Sequence, residues 1–198
     1  MKNRIISIFL IAILSRCGGE FIPDPIDPRL PRYSEEGKDA AGCFINGDVW
    51  RAVKTGGGFS RPDETLRINF LPEDSTIQIT IDGWRNELID SLRKSTEIIF
   101  ILDNRELQFE SIRRLHRKPF LLDGKHNYGQ LVQGFEDTIA TNGVGKLTVR
   151  RANLGTQTSS SINFIVAGTF SFIATSDSLG TIEVKSGRFD YSVRGSKN

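Results

Sequence analysis

From Gly42 onward, apolar and polar residues alternate with a period of two, and turn residues break the alternation at short intervals. Gly42-Cys43-Phe44-Ile45 and Asp48-Val49-Trp50-Arg51-Ala52-Val53 flank Asn46-Gly47. Asn-Gly between two such runs signals a tight hairpin, because a type I′ turn needs positive φ at both central positions. The register that follows sets Ile45 opposite Asp48, Phe44 opposite Val49 and Cys43 opposite Trp50. Leu66, Ile68 and Phe70 alternate next, residues 71–75 turn the chain, and Ile77, Ile79 and Ile81 alternate again. That is a second hairpin with one wet face. Between Gly83 and Ser95 the period changes. Trp84, Leu88 and Leu92, with Ile89, fall four apart and predict a short helix over about 84–93.

Residues 97–102 form a compact apolar run expected to be a central strand, and Leu107, Phe109 and Ser111 could form another. Pro119-Phe120-Leu121-Leu122 begins a loop or an edge strand. Residues 145–150 read as a strand after a turn at Thr141-Asn142-Gly143. Ile162, Phe164, Val166, Gly168, Phe170, Phe172 and Ala174 then share one face over residues 161–175. A strand of that length must coil, and Gly168 is the natural place for a bend or bulge. Ile182 and Val184 share one parity while Phe189, Tyr191 and Val193 take the other, so Ser186-Gly187 must restore the face by a bulge or turn. The prediction is one all-β domain over 41–194, an antiparallel β-sandwich or open barrel with the one short helix.

The N-terminus follows another pattern. Lys2 and Arg4 precede an apolar run from Ile5 to Leu14, then Ser15-Arg16-Cys17 and the small, polar Gly18-Gly19-Glu20. The run is about half the ~20 residues a transmembrane helix needs, and its flanks fit a removable secretion signal. Leu14, Ser15 and Cys17 resemble the lipobox of bacterial lipoproteins, with Arg16 standing where a small residue is usual. The expectation is a signal peptide over 1–16 and a thioether-linked lipid anchor, with palmitate, on Cys17. The protein would then be held to the outer membrane of a bacterial cell envelope. Residues 17–40 hold Pro23, Pro25, Pro28 and Pro31 among acids and read as a semi-rigid tether.

Charge changes meaning once the signal is set aside. The whole chain has 26 Lys and Arg against 24 Asp and Glu. Loss of Lys2, Arg4 and Arg16 leaves a net charge near −1, so the basic balance belongs to the signal and gives no nucleic-acid footprint. Arg113-Arg114-Leu115-His116-Arg117-Lys118 is locally basic and reads as a solvated face. The chain has two cysteines. With Cys17 lipidated, Cys43 stays a thiol, expected to be buried; without lipidation, a Cys17–Cys43 disulfide is open. No C-x-x-C or H-x-x-x-H occurs, so no metal site and no cofactor are expected. Gly56-Gly57-Gly58 lacks the Lys-Ser/Thr and helix of a phosphate loop. His116 and His126 lie near no nucleophile elbow, and Asp123 with His126 reads as a solvated loop pair. No catalytic residues are assigned.

Two stretches resemble a family of uncharacterised bacterial envelope lipoproteins with a domain of unknown function. One is Cys43-Phe44-Ile45-Asn46-Gly47-Asp48-Val49-Trp50-Arg51-Ala52. The other is residues 166–174, Val-Ala-Gly-Thr-Phe-Ser-Phe-Ile-Ala, with Ser186-Gly187-Arg188-Phe189-Asp190. The resemblance implies an exported, lipid-anchored sandwich or barrel and carries over no catalytic residue. Function is therefore expected to be binding, with a protein or glycan partner; Trp84, Tyr128 and Tyr191 could supply stacking surfaces, but core or rim packing is the favoured reading for such large aromatics. A lipocalin-like carrier of a small apolar ligand is the alternative, and a hydrolase ranks last.

Overall fold

The computed structural model describes residues 27–52, 65–71, 73, 75–85, 95–103, 112–133, 137–157 and 162–195. Ten strands occur there, β1 (Ala40–Ile45), β2 (Asp48–Ala52), β3 (Leu66–Leu71), β4 (Thr76–Arg85), β5 (Ser95–Asp103), β6 (Lys118–Asp123), β7 (Tyr128–Gln133), β8 (Asp137–Gln157), β9 (Ile162–Ser176) and β10 (Gly180–Gly195). All pairings are antiparallel. The sheet runs β2-β1-β10-β9-β8-β7-β5-β4, and the far end of β4 returns to β2. Eight strands thus close into a barrel, with β3 as an extra edge on β4 and β6 as an extra edge on β8. Of the two expected architectures, the barrel is the one formed.

The hairpins follow the local rules. Cys43 pairs Trp50, Phe44 pairs Val49 and Ile45 pairs Asp48, around Asn46 at φ 51° and Gly47 at φ 88°. Leu66, Ile68 and Phe70 pair Ile81, Ile79 and Ile77. The apolar faces meet in the lumen, where Trp50, Phe100, Phe189 and the isoleucines of β4 are fully buried. Phe100 packs edge-on against Phe170 (centroids 5.2 Å apart) and Phe172 (5.9 Å). The Trp50 indole N–H donates to the Thr96 carbonyl at 3.1 Å, so its polar atom is satisfied inside the core. Cys43 is a free, fully buried thiol, and burial pushes its pKa well above the ordinary range. Among the described residues, the inward-facing side chains form one buried hydrophobic cluster.

Several expectations are corrected. Trp84 and Arg85, the first residues of the expected helix over 84–93, belong to β4. Trp84 pairs Arg51 on one side and Ser95 on the other, so two neighbouring strands override the four-residue period; the rest of that segment lies outside the described residues, as do 104–111 and the Gly56–58 run. The turn expected at 141–143 is a bulge within the 21-residue β8, with Asn142 at φ 53°. At Gly168 the bulge sits across the ladder, where Arg150 is the extra residue of β8. Gly168 itself supplies space: a Cβ there would lie 2.3 Å from the Thr148 carbonyl oxygen and 2.7 Å from the Phe189 ring. The slip expected at Ser186-Gly187 is present, with Lys185 and Ser186 as the bulge and Ser186 at φ 53°.

The tether expected over 17–40 differs in its second half. Residues 27–39 lie as a strap against β1 and β10. Prolines keep the strap out of the ladder, and barrel side chains hold it instead. Arg51 donates to the Arg29 carbonyl, Arg188 to that of Pro31 and Arg151 to that of Glu35. Leu30 is buried, and Pro31 stacks over Gly42. Residues 17–26 lie outside the described residues.

Candidate functional site

Three outward-facing rows cross the wall formed by β6, β8, β9 and β10. Pairing sets Val144 beside Ile173, Lys146 beside Ser171, and Thr148 beside Thr169 and then Arg188. Alternation dictates this, since Leu147, Val149, Phe170 and Phe172 point into the lumen. The bulge at Lys185-Ser186 interrupts the β9–β10 register, and the strap lies alongside. The result is an open groove of about 500 Å³, lined by Lys146, Arg150, Lys185 and Arg188 with Thr148 and Tyr33. Among the described residues, no carboxylate lines it. Lys185 also meets Glu183 at 2.7 Å, but its side chain remains largely exposed.

The strap supplies one wall of the groove, and Asp190 fixes the strap. Asp190, nearly fully buried, accepts from the Ser34 hydroxyl and from the backbone N–H groups of Glu36 (3.2 Å), Gly37 (2.7 Å) and Lys38 (3.1 Å). The Asp39 carboxylate in turn accepts from the Ser192 N–H at 3.0 Å, beyond the last residue of β10 that β1 pairs. Tyr33 donates to Glu35 at 2.7 Å; burial, more than that contact, pushes its phenol pKa far up. The run Gly187-Arg188-Phe189-Asp190 thus has a structural meaning. Phe189 packs in the lumen, while Arg188 and Asp190 face outward and grip the strap.

The other residues singled out by the sequence go elsewhere. Asp123 and His126 do come together at 3.2 Å. The Asp123 carboxylate, however, also accepts from the N–H groups of Lys125, His126 and Asn127, which hold its pKa well below the carboxylate range. It caps its own loop. The His116 Nδ1 accepts from the Ala152 N–H at 3.2 Å and ties the 3-10 turn Ile112–Leu115 to β8. Arg113, Arg114, Arg117 and Lys118 are exposed around that turn. Tyr191 is buried, which removes it as a stacking surface, and Tyr128 is half-buried. Cys17 lies outside the described residues. No group of His, Cys, Asp and Glu among the described residues could hold a metal ion.

One ionic node escaped the sequence reading. Arg67 makes a bidentate pair with Asp82 (2.8 and 3.1 Å) and reaches Glu97 at 3.4 Å. Burial pushes the Asp82 pKa up to about 6; Arg67 opposes the rise and the Glu97 carboxyl adds to it. Only the knowledge that β4 pairs β5 with Asp82 opposite Glu97 brings these acids together. Comparison with family models, curated proteins and solved structures gives no match for this chain.

Proposed function

We propose that this protein is an exported bacterial envelope protein, anchored through a lipid on Cys17, that works by binding at the outer wall of its barrel. The observation that carries the reading is the contrast between the two surfaces of the sheet. Inside, aromatic and branched side chains form one buried cluster in mutual contact. Outside, a groove of about 500 Å³ gathers four cationic side chains and several hydroxyls. A concave surface with converging polar groups is where a ligand gains most from contact. The signal-like N-terminus and the Leu14-Ser15-Arg16-Cys17 run support the anchor.

Two measurements test this reading. Cys17→Ser should move the protein from the membrane fraction to the soluble fraction, and unchanged membrane retention would overturn the anchor. A neutral apolar dye such as N-phenyl-1-naphthylamine should show no saturable one-to-one uptake by the folded chain. Such uptake would favour the lipocalin-like carrier over the outer wall.

A further inference from the structure

The cationic groove does not stand alone on its wall. Leu121, Val144 and Ile173 are 74%, 54% and 51% exposed, although each lies in a regular strand. Val144 pairs Ile173 directly, and Leu121 pairs Lys146, two residues further along β8 on the same face. An exposed apolar strip therefore borders the cations Lys146 and Lys185. Two acids border the strip as well, Asp123 opposite Val144 and Glu183 opposite Ile173; Asp123 caps its own loop, and Glu183 is neutralised by Lys185. Exposed apolar residues in contact with cations are the two halves of a surface for an amphiphile with a negative head.

The strap gives the orientation. Asp27 and Arg29 share a smaller depression with Phe44, Gly47, Glu183 and Lys185, and Glu183 pairs Ile173. The strap thus begins at the end of the barrel where the apolar strip lies. Ten Cα–Cα steps lead from Cys17 to Asp27, a reach of at most ~35 Å when extended. A lipid on Cys17 would hold this end of the barrel close to the bilayer.

We propose that the wall carrying Leu121, Val144 and Ile173 docks on the membrane, with the exposed Lys146 and Lys185 taking the phosphate of anionic lipid headgroups. The orientation rests on the anchor reading above; the surface chemistry does not. The same phosphate chemistry could be offered by a soluble ligand, and the test separates the two sources.

The full chain carrying Cys17→Ser, which removes the lipid's own contribution, is sedimented with vesicles of phosphatidylcholine alone and with vesicles that include phosphatidylglycerol. The expected result is retention on the anionic vesicles in excess of the neutral ones, weakening as salt rises. Lys146→Glu with Lys185→Glu should lower that excess at least ~10-fold, given roughly fivefold per cation at an anionic surface. Val144→Ser with Ile173→Ser should lower it several-fold. Both pairs are exposed and should keep the thermal midpoint of the parent. Equal retention on both vesicle types would overturn the proposal, as would an excess unchanged by these substitutions. Saturable binding of inorganic phosphate, lost with the lysine pair but without vesicle retention, would assign the groove to a soluble anion and also overturn it. Membrane fractionation of the unsubstituted chain reports on Cys17 alone, so failure of the anchor and failure of the docking wall give different results.

Discussion

Asp82 shows how much a single residue owes to its neighbours across the ladder. Its side chain is 20% exposed and shares Arg67 with Glu97, so one guanidinium serves two carboxyls. Burial raises its pKa to about 6 against an ordinary value of 3.8. Between these values the folded chain keeps a proton that the unfolded chain has released. Stability therefore falls as pH rises from about 4 to 6 and levels off above. Asp82→Asn should abolish that slope in urea denaturation followed as a function of pH. Glu97→Gln should bring the Asp82 carboxyl resonance, titrated by NMR, down towards the ordinary range. An unchanged midpoint of that titration would mean that burial alone sets the value.

At the scale of elements, the strap is the piece whose behaviour the sequence reading missed. Asp190 provides acceptors for three backbone N–H groups and a hydroxyl, so Asp190→Ala leaves several part-buried donors without their acceptor. Each such loss costs ~1–3 kcal/mol when water cannot replace the acceptor. Partial release of the strap would limit the total to about that range. Hydrogen exchange at Gly37 and Lys38 should accelerate strongly in this variant while Phe100 and Ile98, deep in β5, keep their protection. Equal protection at Gly37 before and after substitution would show that the arginine contacts alone hold the strap. What was legible here and what was not has a physical reason. The Asn46-Gly47 hairpin and the Ser186 bulge are encoded within a few residues, by turn chemistry and by a change of parity. The capture of residues 34–38 by Asp190 spans more than 150 positions and leaves no trace in the local pattern of either segment. Trp84 misled in the opposite way, because a four-residue period with Leu88 suggested a helix where two flanking strands claim its backbone. For the same reason the cationic groove was invisible, since Lys146, Arg150, Lys185 and Arg188 meet only once β8, β9 and β10 are in register.

The barrel closes on itself at the seam where β2 meets β4. Among the described residues, β9 and β10 pair along almost their entire length, whereas β2 meets β4 through Trp50–Arg85, Arg51–Trp84 and Ala52–Gly83. Gly83 makes this closure possible, because a Cβ there would lie 2.3 Å from Trp50 Cζ2 and 2.5 Å from the Arg51 carbonyl oxygen. Neither can yield easily: the Trp50 ring is fully buried and its N–H is committed to Thr96, while Arg51 lies in the ladder. Gly83→Ala should therefore lower stability by at least ~1–3 kcal/mol, the usual cost of overpacking. The relief should come at the seam. Gly168→Ala places its Cβ equally close to the Thr148 oxygen, but within the long β8–β9 ladder, where no free edge can open. Both variants should lose midpoint in thermal unfolding, yet only Gly83→Ala should speed exchange selectively along β2. A wild-type midpoint for Gly83→Ala would show that the seam has slack and that closure depends little on this glycine. The same pair of variants bears on where the protein binds. An opened seam would admit a neutral apolar dye to the lumen around Trp50 and Ile81 and leave the cations of the outer wall in place. Dye uptake by Gly83→Ala alone, with the vesicle retention of Cys17→Ser unchanged when the two substitutions are combined, would separate the core of the barrel from its working surface.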